Sequence, residues 1–394
     1  MKKVLAINSG SSSFKYKLFS IPDEEVIAKG MADRVGLDGS SFEIKLANGE
    51  KHVEEVSIPD QETAVGLLLK ALKKYNVVED LTEIAGVGHR IVAGGEYFKD
   101  SAIIDEENLQ RIFDLKEYAP LHNPAEGEGI KAFMKLLPDA PQVGVFDTSF
   151  HQSLDATHYL YSVPYEWYEK YHARKYGAHG TSVRYVSKRA AEMLGKDVKD
   201  LKLIICHLGS GASITAVKDG KSFDTSMGFS PLAGITMSTR SGDVDPSLVQ
   251  FVMEKENLSM DEMIEILNKK SGLLGLSHIS PDMRDLKFNP DERAQRARAI
   301  FINRIIRYVG AYLTEMGGVD AVIFTAGVGE HDVGVRKAVM ESLEFMGLKP
   351  DLEANEENGE RFITKPDSKI KAMIVPTNEE LIIARDVVRL AHLN

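Results

Sequence analysis

Four basic side chains are packed among small residues rather than on charged helical faces. His89-Arg90 follows Ala85–Gly88. His179 sits in Tyr176-Gly177-Ala178-His179-Gly180-Thr181-Ser182, and Arg240 in Ser238-Thr239-Arg240-Ser241-Gly242-Asp243. A guanidinium meets carboxylate or phosphate oxygens as a fork. One Arg beside a glycine is an ordinary solvated surface group, but three such loops in one chain point to anion binding. Two Gly/Ser turns supply matching chemistry. Asn8-Ser9-Gly10-Ser11-Ser12-Ser13-Phe14-Lys15 offers close backbone approach, hydroxyl and N–H donors and a point charge, which suits a phosphate cradle or a plain polar hairpin turn. His207-Leu208-Gly209-Ser210-Gly211 repeats the pattern, and Gly327-Val328-Gly329-Glu330 follows a strand, where open α/β sheets take ligands. Asp147 ends the apolar run of Val143–His151; it reads as a turn or helix-cap residue, or as a metal or catalytic carboxylate. Glu379 and Glu380 open the last helical segment, where acidic residues are ordinary.

The commoner phosphate and hydrolase motifs are absent. Gly220-Lys221-Ser222 ends like a P-loop, but Thr215 stands at the required glycine. The G-x-G runs at Gly86, Gly209 and Gly327 lack the third glycine of a dinucleotide fingerprint. Neither a G-x-S-x-G elbow nor an H-E-x-x-H zinc pair occurs.

The elements that must position these residues alternate between strand and helix, which predicts an α/β fold. Lys3–Ile7 reads as a buried strand and Phe14–Ser20 as its hairpin return. Asn123-Pro124 predicts a cap and first-turn proline for a helix stopped by Pro138. Ser259 with Glu262 predicts a capping box. Asn289-Pro290 with Glu292 opens a long amphipathic helix through Phe301, Ile305, Tyr308, Val309, Tyr312, Leu313 and Met316, ended by Gly317-Gly318. Residues 3–19 and 202–218 echo each other as strand, Gly/Ser turn, strand, and Val319–Glu330 is a third variant. Two related halves with facing glycine loops predict a cleft between domains; the competing account is chance recurrence of strand–glycine turns.

Composition narrows the function. With 48 Lys+Arg against 59 Asp+Glu the net charge is −11, a poor balance for nucleic-acid binding, which needs cations to displace counterions. The 394 residues, 43% hydrophobic and 27% charged, suit a globular chain of two domains. One cysteine, Cys206, rules out an intrachain disulfide framework. The apolar run after Met1-Lys2-Lys3 is too short for a signal peptide, and no run approaches the ~18 residues of a membrane span, so a cytoplasmic protein without membrane partners is expected.

In order along the chain, INSGSSSFKYKLF, GVGHRIVAGGE, APLHNPA, VFDTSFH, YGAHGTS, DTSMGFSPL, TRSGDVDP, SGLLGLS, FTAGVGE and VPTNEEL resemble the acetate kinase (acetokinase) family over essentially the whole chain. The resemblance implies two duplicated actin-like ATPase domains with ribonuclease H-like cores around a nucleotide cleft. The N-terminal domain would hold residues 1–149 plus 380–394 and the acetate side. The C-terminal domain, 150–379, would hold the nucleotide site and the interface of a homodimer. The implied reaction is reversible phosphoryl transfer from ATP to acetate, giving acetyl phosphate and ADP, with Mg²⁺ or Mn²⁺. A propionate or butyrate kinase of the same family is the nearest alternative. An actin-like ATPase binding module is the distant one; it would need a partner-binding domain for which no residues are left over.

Carried over position by position, the resemblance implies that Asn8 and Glu379 hold the metal. Ser11, Ser13 and Lys15 would lie near the phosphates. His207, Leu208, Gly209, Ser210 and Gly211, then Asp282, Met283 and Arg284, then Gly327, Val328, Gly329, Glu330 and His331 would surround the nucleotide. Arg90 would bind the acetate carboxylate, with Val92, Leu121 and Pro231 around its methyl group. Asp147, His179 and Arg240 would be catalytic, the last two stabilising the transferring phosphoryl group. Acetate is ionised near neutral pH and needs no general base. Asp147 is therefore expected to hold the metal through water or to orient an Arg or His. Departures from the family pattern are Ala178 for phenylalanine, Val183 for histidine, Ser210 and His331 for asparagine, and Ser238 for glycine. Ala178 either enlarges the acceptor pocket toward propionate or is refilled by a neighbour.

Overall fold

The structure is a computed structural model that describes residues 2–10, 12–120 and 122–393. Ser11 and Leu121, both expected at the site, lie outside the described residues. The chain divides into two compact units, Met1–Ser149 with Asn378–Asn394, and Phe150–Thr377.

The first unit holds β1 (Lys2–Ser9), β2 (Ser13–Ile21), β3 (Val26–Asp33), β4 (Ser41–Leu46), β5 (Lys51–Glu55), β6 (Ile84–Ile91), β7 (Ala102–Ile103) and β8 (Gln142–Phe146), in the order β5-β4-β3-β2-β1-β6-β8-β7. β1 pairs antiparallel with β2 and parallel with β6, and β6 pairs parallel with β8. Side chains of β1 alternate between two apolar layers, as the period of two requires. Leu5 and Ile7 join Phe14, Tyr16 and Leu18 beneath the helices Gln61–Lys74 and Asn123–Leu136. Val4 and Ala6 join Phe19, Val143 and Val145 beneath the last helix, Glu379–Leu390. Gly86 and Gly88 let that helix lie close on β6: a Cβ at either would come within 2.5 Å of Val387 Cγ1 or 2.4 Å of Ile383 Cγ2. The G-x-G run at Gly86 is thus a packing device.

The second unit holds β9 (Lys202–Leu208), β10 (Ala212–Lys218), β11 (Lys221–Thr225), β12 (Ala321–Thr325), β13 (Arg361–Phe362) and β14 (Lys371–Ile374), in the order β11-β10-β9-β12-β14-β13. Its five central strands repeat the β3-β2-β1-β6-β8 arrangement, with β9 antiparallel to β10 and parallel to β12, and β12 parallel to β14. The echo between residues 3–19 and 202–218 therefore marks a repeated topology, in which Asn8 and His207 fall at equivalent places on the first strand. Leu203 and Ile205 face the helix Gly180–Leu194, while Ile204, Cys206 and Leu208 face the helix Glu292–Glu315. Gly220-Lys221-Ser222 is the β10–β11 hairpin, with Gly220 at φ +73°.

The capping box of Ser259 and Glu262 is present. Two other expected caps shift. Asn123 lies inside its helix, after His122; its side chain instead accepts from the Ala93 N–H at 3.2 Å and donates to the Ala93 and Ile112 carbonyls. Asp291, not Asn289, caps the long helix by accepting from Arg293 N–H. Asn289 accepts from Asp291 N–H one step earlier. Among the described residues no helix is long and apolar enough to cross a membrane.

Candidate active site

In the first unit the chemistry gathers where three adjacent strands run out. β1 ends with Asn8-Ser9, β6 with Arg90-Ile91, and β8 is followed by Asp147, whose N–H bonds to the Ile91 carbonyl at 2.9 Å. The Arg90 guanidinium donates to Asp147 Oδ2 from Nε at 2.9 Å and from Nη2 at 2.6 Å, and its Nη1 lies 3.5 Å from Asn8 Oδ1. Asp147 is 2% exposed. Of the readings open for it in the sequence, orientation of an arginine matches this contact. Burial works against the Arg90 charge, but Asp147 and then Glu379 more than offset it, so its pKa is raised. Glu379 opens the last helix, which Asn378 caps from its side chain. Burial raises the Glu379 pKa, opposed by Arg90 and reinforced by Asp147. Lys15 pairs with Asn8 in the β1–β2 register, and Ser13 accepts the Gly10 N–H through its carbonyl at 2.7 Å. Next to Lys15, Lys17 is bound to Glu380 at 3.0 Å.

Val92 packs with Ala93 and Ala119. The backbone there is gripped by side chains the sequence did not single out. Val92 N–H donates to Glu126 Oε2 at 3.1 Å and Gly94 N–H to Thr148 Oγ1 at 3.0 Å, beside the Asn123 contacts. Glu126 reads in sequence as ordinary first-turn helix charge; only its burial marks it.

In the second unit His179 precedes the helix Gly180–Leu194. Its Nδ1 lies 3.0 Å from Ser213 Oγ, and its ring stacks on His207 at 4.0 Å and 14°. His207 Nδ1 meets Ser182 Oγ at 2.8 Å, which in turn meets Thr377 Oγ1. Gly211 sits against both catalytic candidates: a Cβ there would come within 3.4 Å of His179 Nε2 and 3.5 Å of Arg240 Nη1. Arg240 Nη1 donates to the Pro231 carbonyl at 3.3 Å, and no carboxylate among the described residues pairs with it. Burial lowers its pKa.

A cavity of about 430 Å³ brings together Gly209, Ser210, Asp282, Met283, Arg284, Gly327, Val328 and His331. Ser238, Leu273, Lys287, Phe288, Phe301 and Asp332 complete its wall. Ser238, Leu273 and Phe301 lie in segments the sequence already marked, whereas Lys287, Phe288 and Asp332 carry no motif and were not singled out. Leu208 is fully buried in the core, so only its main chain is available to a ligand. Gly329 and Glu330 belong to the short helix Ala326–His331 behind the rim. Arg284 folds back on Asp282, with Nη2 to Oδ2 at 2.5 Å, and is 89% exposed. Two buried arginines hold the wall. Arg336 Nη1 donates to the Gly329 carbonyl at 3.1 Å while its other nitrogens bind Asn355. Arg298 grips Asp332 with two bonds of 2.6 Å. Burial alone would raise the Asp332 pKa; the Arg298 hydrogen bonds and charge bring it below the usual value. Ala178 is 6% exposed and belongs to the large apolar core of the second unit.

Repeated α/β sheets with Gly/Ser turns, a walled cavity and buried cationic side chains suit a protein that binds phosphorylated ligands. The profile of the acetokinase family matches residues 3–385. An acetate kinase of Limosilactobacillus fermentum is 57% identical over 99% of both chains. Among solved structures, the acetate kinase of Porphyromonas gingivalis superposes with a TM-score of 0.95 at 45% identity, covering 99% of this chain and 100% of the other. A propionate kinase of Francisella tularensis superposes at 0.92 with 38% identity, again over 99% and 100%. The chain belongs to the acetokinase family, and as a member it is an ATP-dependent phosphotransferase.

Proposed function

We propose that this chain transfers the γ-phosphoryl group of ATP to acetate, reversibly and with Mg²⁺, giving acetyl phosphate and ADP by direct in-line displacement. The observation that carries this reading is Arg90, a largely buried guanidinium aimed by Asp147 at the ends of parallel strands. An acetate oxygen forms the new bond to phosphorus as the bond to the ADP oxygen breaks, and no proton need leave the acceptor. Arg90 neutralises the incoming carboxylate, with Val92, Leu121 and Pro231 about its methyl group. Asp147 fixes the guanidinium. In the second unit, Arg240 and His179 stabilise the equatorial oxygens of the transferring group. Such an arginine is worth ~10³–10⁵ in rate in related phosphoryl transfer. The cavity takes the nucleotide, its phosphates toward the turns at Gly209–Gly211 and Gly327–Gly329, with Ser13 and Lys15 as further phosphate donors from the first unit.

Mg²⁺ suits the oxygen donors of Asn8 and Glu379, since it takes one or two carboxylates with substrate phosphates and water. A carboxyl that burial and the neighbouring Asp147 hold above its ordinary pKa fits that role. When bound, the ion would offset phosphate charge and orient the β- and γ-oxygens.

Acetate is favoured over propionate because Ala178 is packed in the core and because the acetate kinase relative is the more similar in sequence. A homodimer through the second unit is supported by apolar side chains left at the surface. These are Leu248 and Phe251 on the helix Pro246–Glu256, and Met260 and Ile264 on the helix Met260–Lys269. Hydroxylamine trapping with MgATP and acetate, propionate, butyrate or no acid tests the function. Acyl hydroxamate strongest with acetate is expected; ATP loss without trapped product would overturn the reading.

A further inference from the structure

One guanidinium, Arg90, faces three carboxyl groups of the first unit. Asp147 binds it directly, and Glu126 and Glu379 both feel its charge. If all three were ionised the group would carry a net −2 before any acceptor arrived. An incoming acetate would be repelled by more negative charge than Arg90 offers. In the proposed reading Glu379 is met by a divalent cation. Among the described residues Glu126 meets no such partner: it is 2% exposed, on the first turn of the helix Asn123–Leu136, and accepts a hydrogen bond from Val92 N–H.

We propose that Glu126 is a positioning residue of the acceptor site, holding the Val92 main chain beside Arg90 as an uncharged acid and excluding the acceptor anion once it ionises. The inference rests on the acetate reading above. The charged groups facing Glu126 are Arg90 from β6 and Asp147 after β8; its own helix presents Asn123, which grips the next residue, Ala93. Burial pushes the Glu126 carboxyl up to about 8, with Arg90 and the Val92 N–H opposing and Asp147 adding to the rise. At neutral pH the acid form dominates. Linkage is reciprocal, so an anion that binds only the acid form raises the Glu126 pKa as much as ionisation of Glu126 weakens the anion.

The test measures the acetate KM from pH 7 to 9.5 alongside the MgATP KM and kcat, for the natural chain and Glu126→Gln. Each protein is judged by its own ratio of acetate KM at pH 9 to that at pH 7. The natural chain should show a rise of about tenfold, confined to acetate, because only the protonated form binds. In Glu126→Gln, which keeps an acceptor for Val92 N–H and cannot ionise, that rise should vanish. A flat profile in the natural chain overturns the proposal without any variant, as does an equal rise in Glu126→Gln. A second readout needs no acetate. Between about pH 4.5 and 8 the unfolded chain has lost the Glu126 proton that the folded chain retains, so stability falls as pH rises through that window. The unfolding temperature of Glu126→Gln should therefore gain on the natural chain from pH 5 to pH 8; a constant difference overturns the uncharged state. Failure of acetate trapping at pH 7 with this thermal shift intact would indict the acetate reading and not the neutral acid.

Discussion

The two units carry the same central strand order but hold their arginines in opposite ways. Arg90 in the first unit is bound twice by Asp147 and lies in the electrostatic field of Glu379 and Glu126. Arg240 in the second rests on a main-chain carbonyl, with no carboxylate partner among the described residues. A paired guanidinium is well aimed, but much of its charge is already answered. An unpaired one in a desolvated place keeps its charge for a ligand, at a cost in stability. The difference matches the two tasks proposed: a fixed perch for a small carboxylate, and a reserve of positive charge for a phosphoryl group whose charge redistributes during transfer.

Arg240→Ala should have the largest effect, a fall in kcat of about 10³-fold or more with a smaller change in acetate KM. Arg240→Lys should recover little, because an ammonium lacks the planar fork. Retention of a tenth of the activity by Arg240→Ala would break the contrast. Asp332→Ala comes next and reads on stability. It strands Arg298 in the wall of the nucleotide cavity and should cost about 3–5 kcal/mol by denaturant unfolding. A loss under 1 kcal/mol would mean the pair is not the prop it resembles.

Asp147 sharpens the first-unit side. Asp147→Asn can still accept from Arg90 and should lose about tenfold in kcat/KM for acetate; Asp147→Ala should lose about a hundredfold. Equal losses would favour a charge or metal role over orientation. The smallest effect concerns chain length. With Ala178 packed in the core, the kcat/KM for propionate should fall below that for acetate by about tenfold, the worth of one misplaced methylene. Parity would show the acceptor pocket is open after all.

Much of this was legible in the residues. Strand–turn–strand periodicity revealed both hairpins and their repetition. The long amphipathic helix was traced correctly because six of its seven named apolar positions bury and the seventh, Tyr308, reaches Asp243 through its hydroxyl. The glycine turns and cationic loops led to the residues now found at strand ends and around the cavity. What escaped depends on contacts remote in sequence. Asn123 looked like a cap because the Asn-Pro pair is a local signal, yet its side chain is taken by Ala93, thirty residues away. Glu126 has the sequence signature of solvated helix charge, and only tertiary burial makes it unusual. Arg298 and Arg336 fall at helical spacing on the apolar faces of their helices, in line with Phe301 and Val339, where their charge alone would argue against burial.

The close seat of the last helix on Gly86 and Gly88 has a consequence for synthesis. One face of the first sheet, with Val4, Ala6, Val143 and Val145, is covered by residues 379–390. All of Phe150–Thr377 is translated in between. At ordinary elongation rates that interval is on the order of ten seconds or more. The unit begun first is thus completed last, and a nascent chain carries an open apolar face while the contiguous second unit is free to fold.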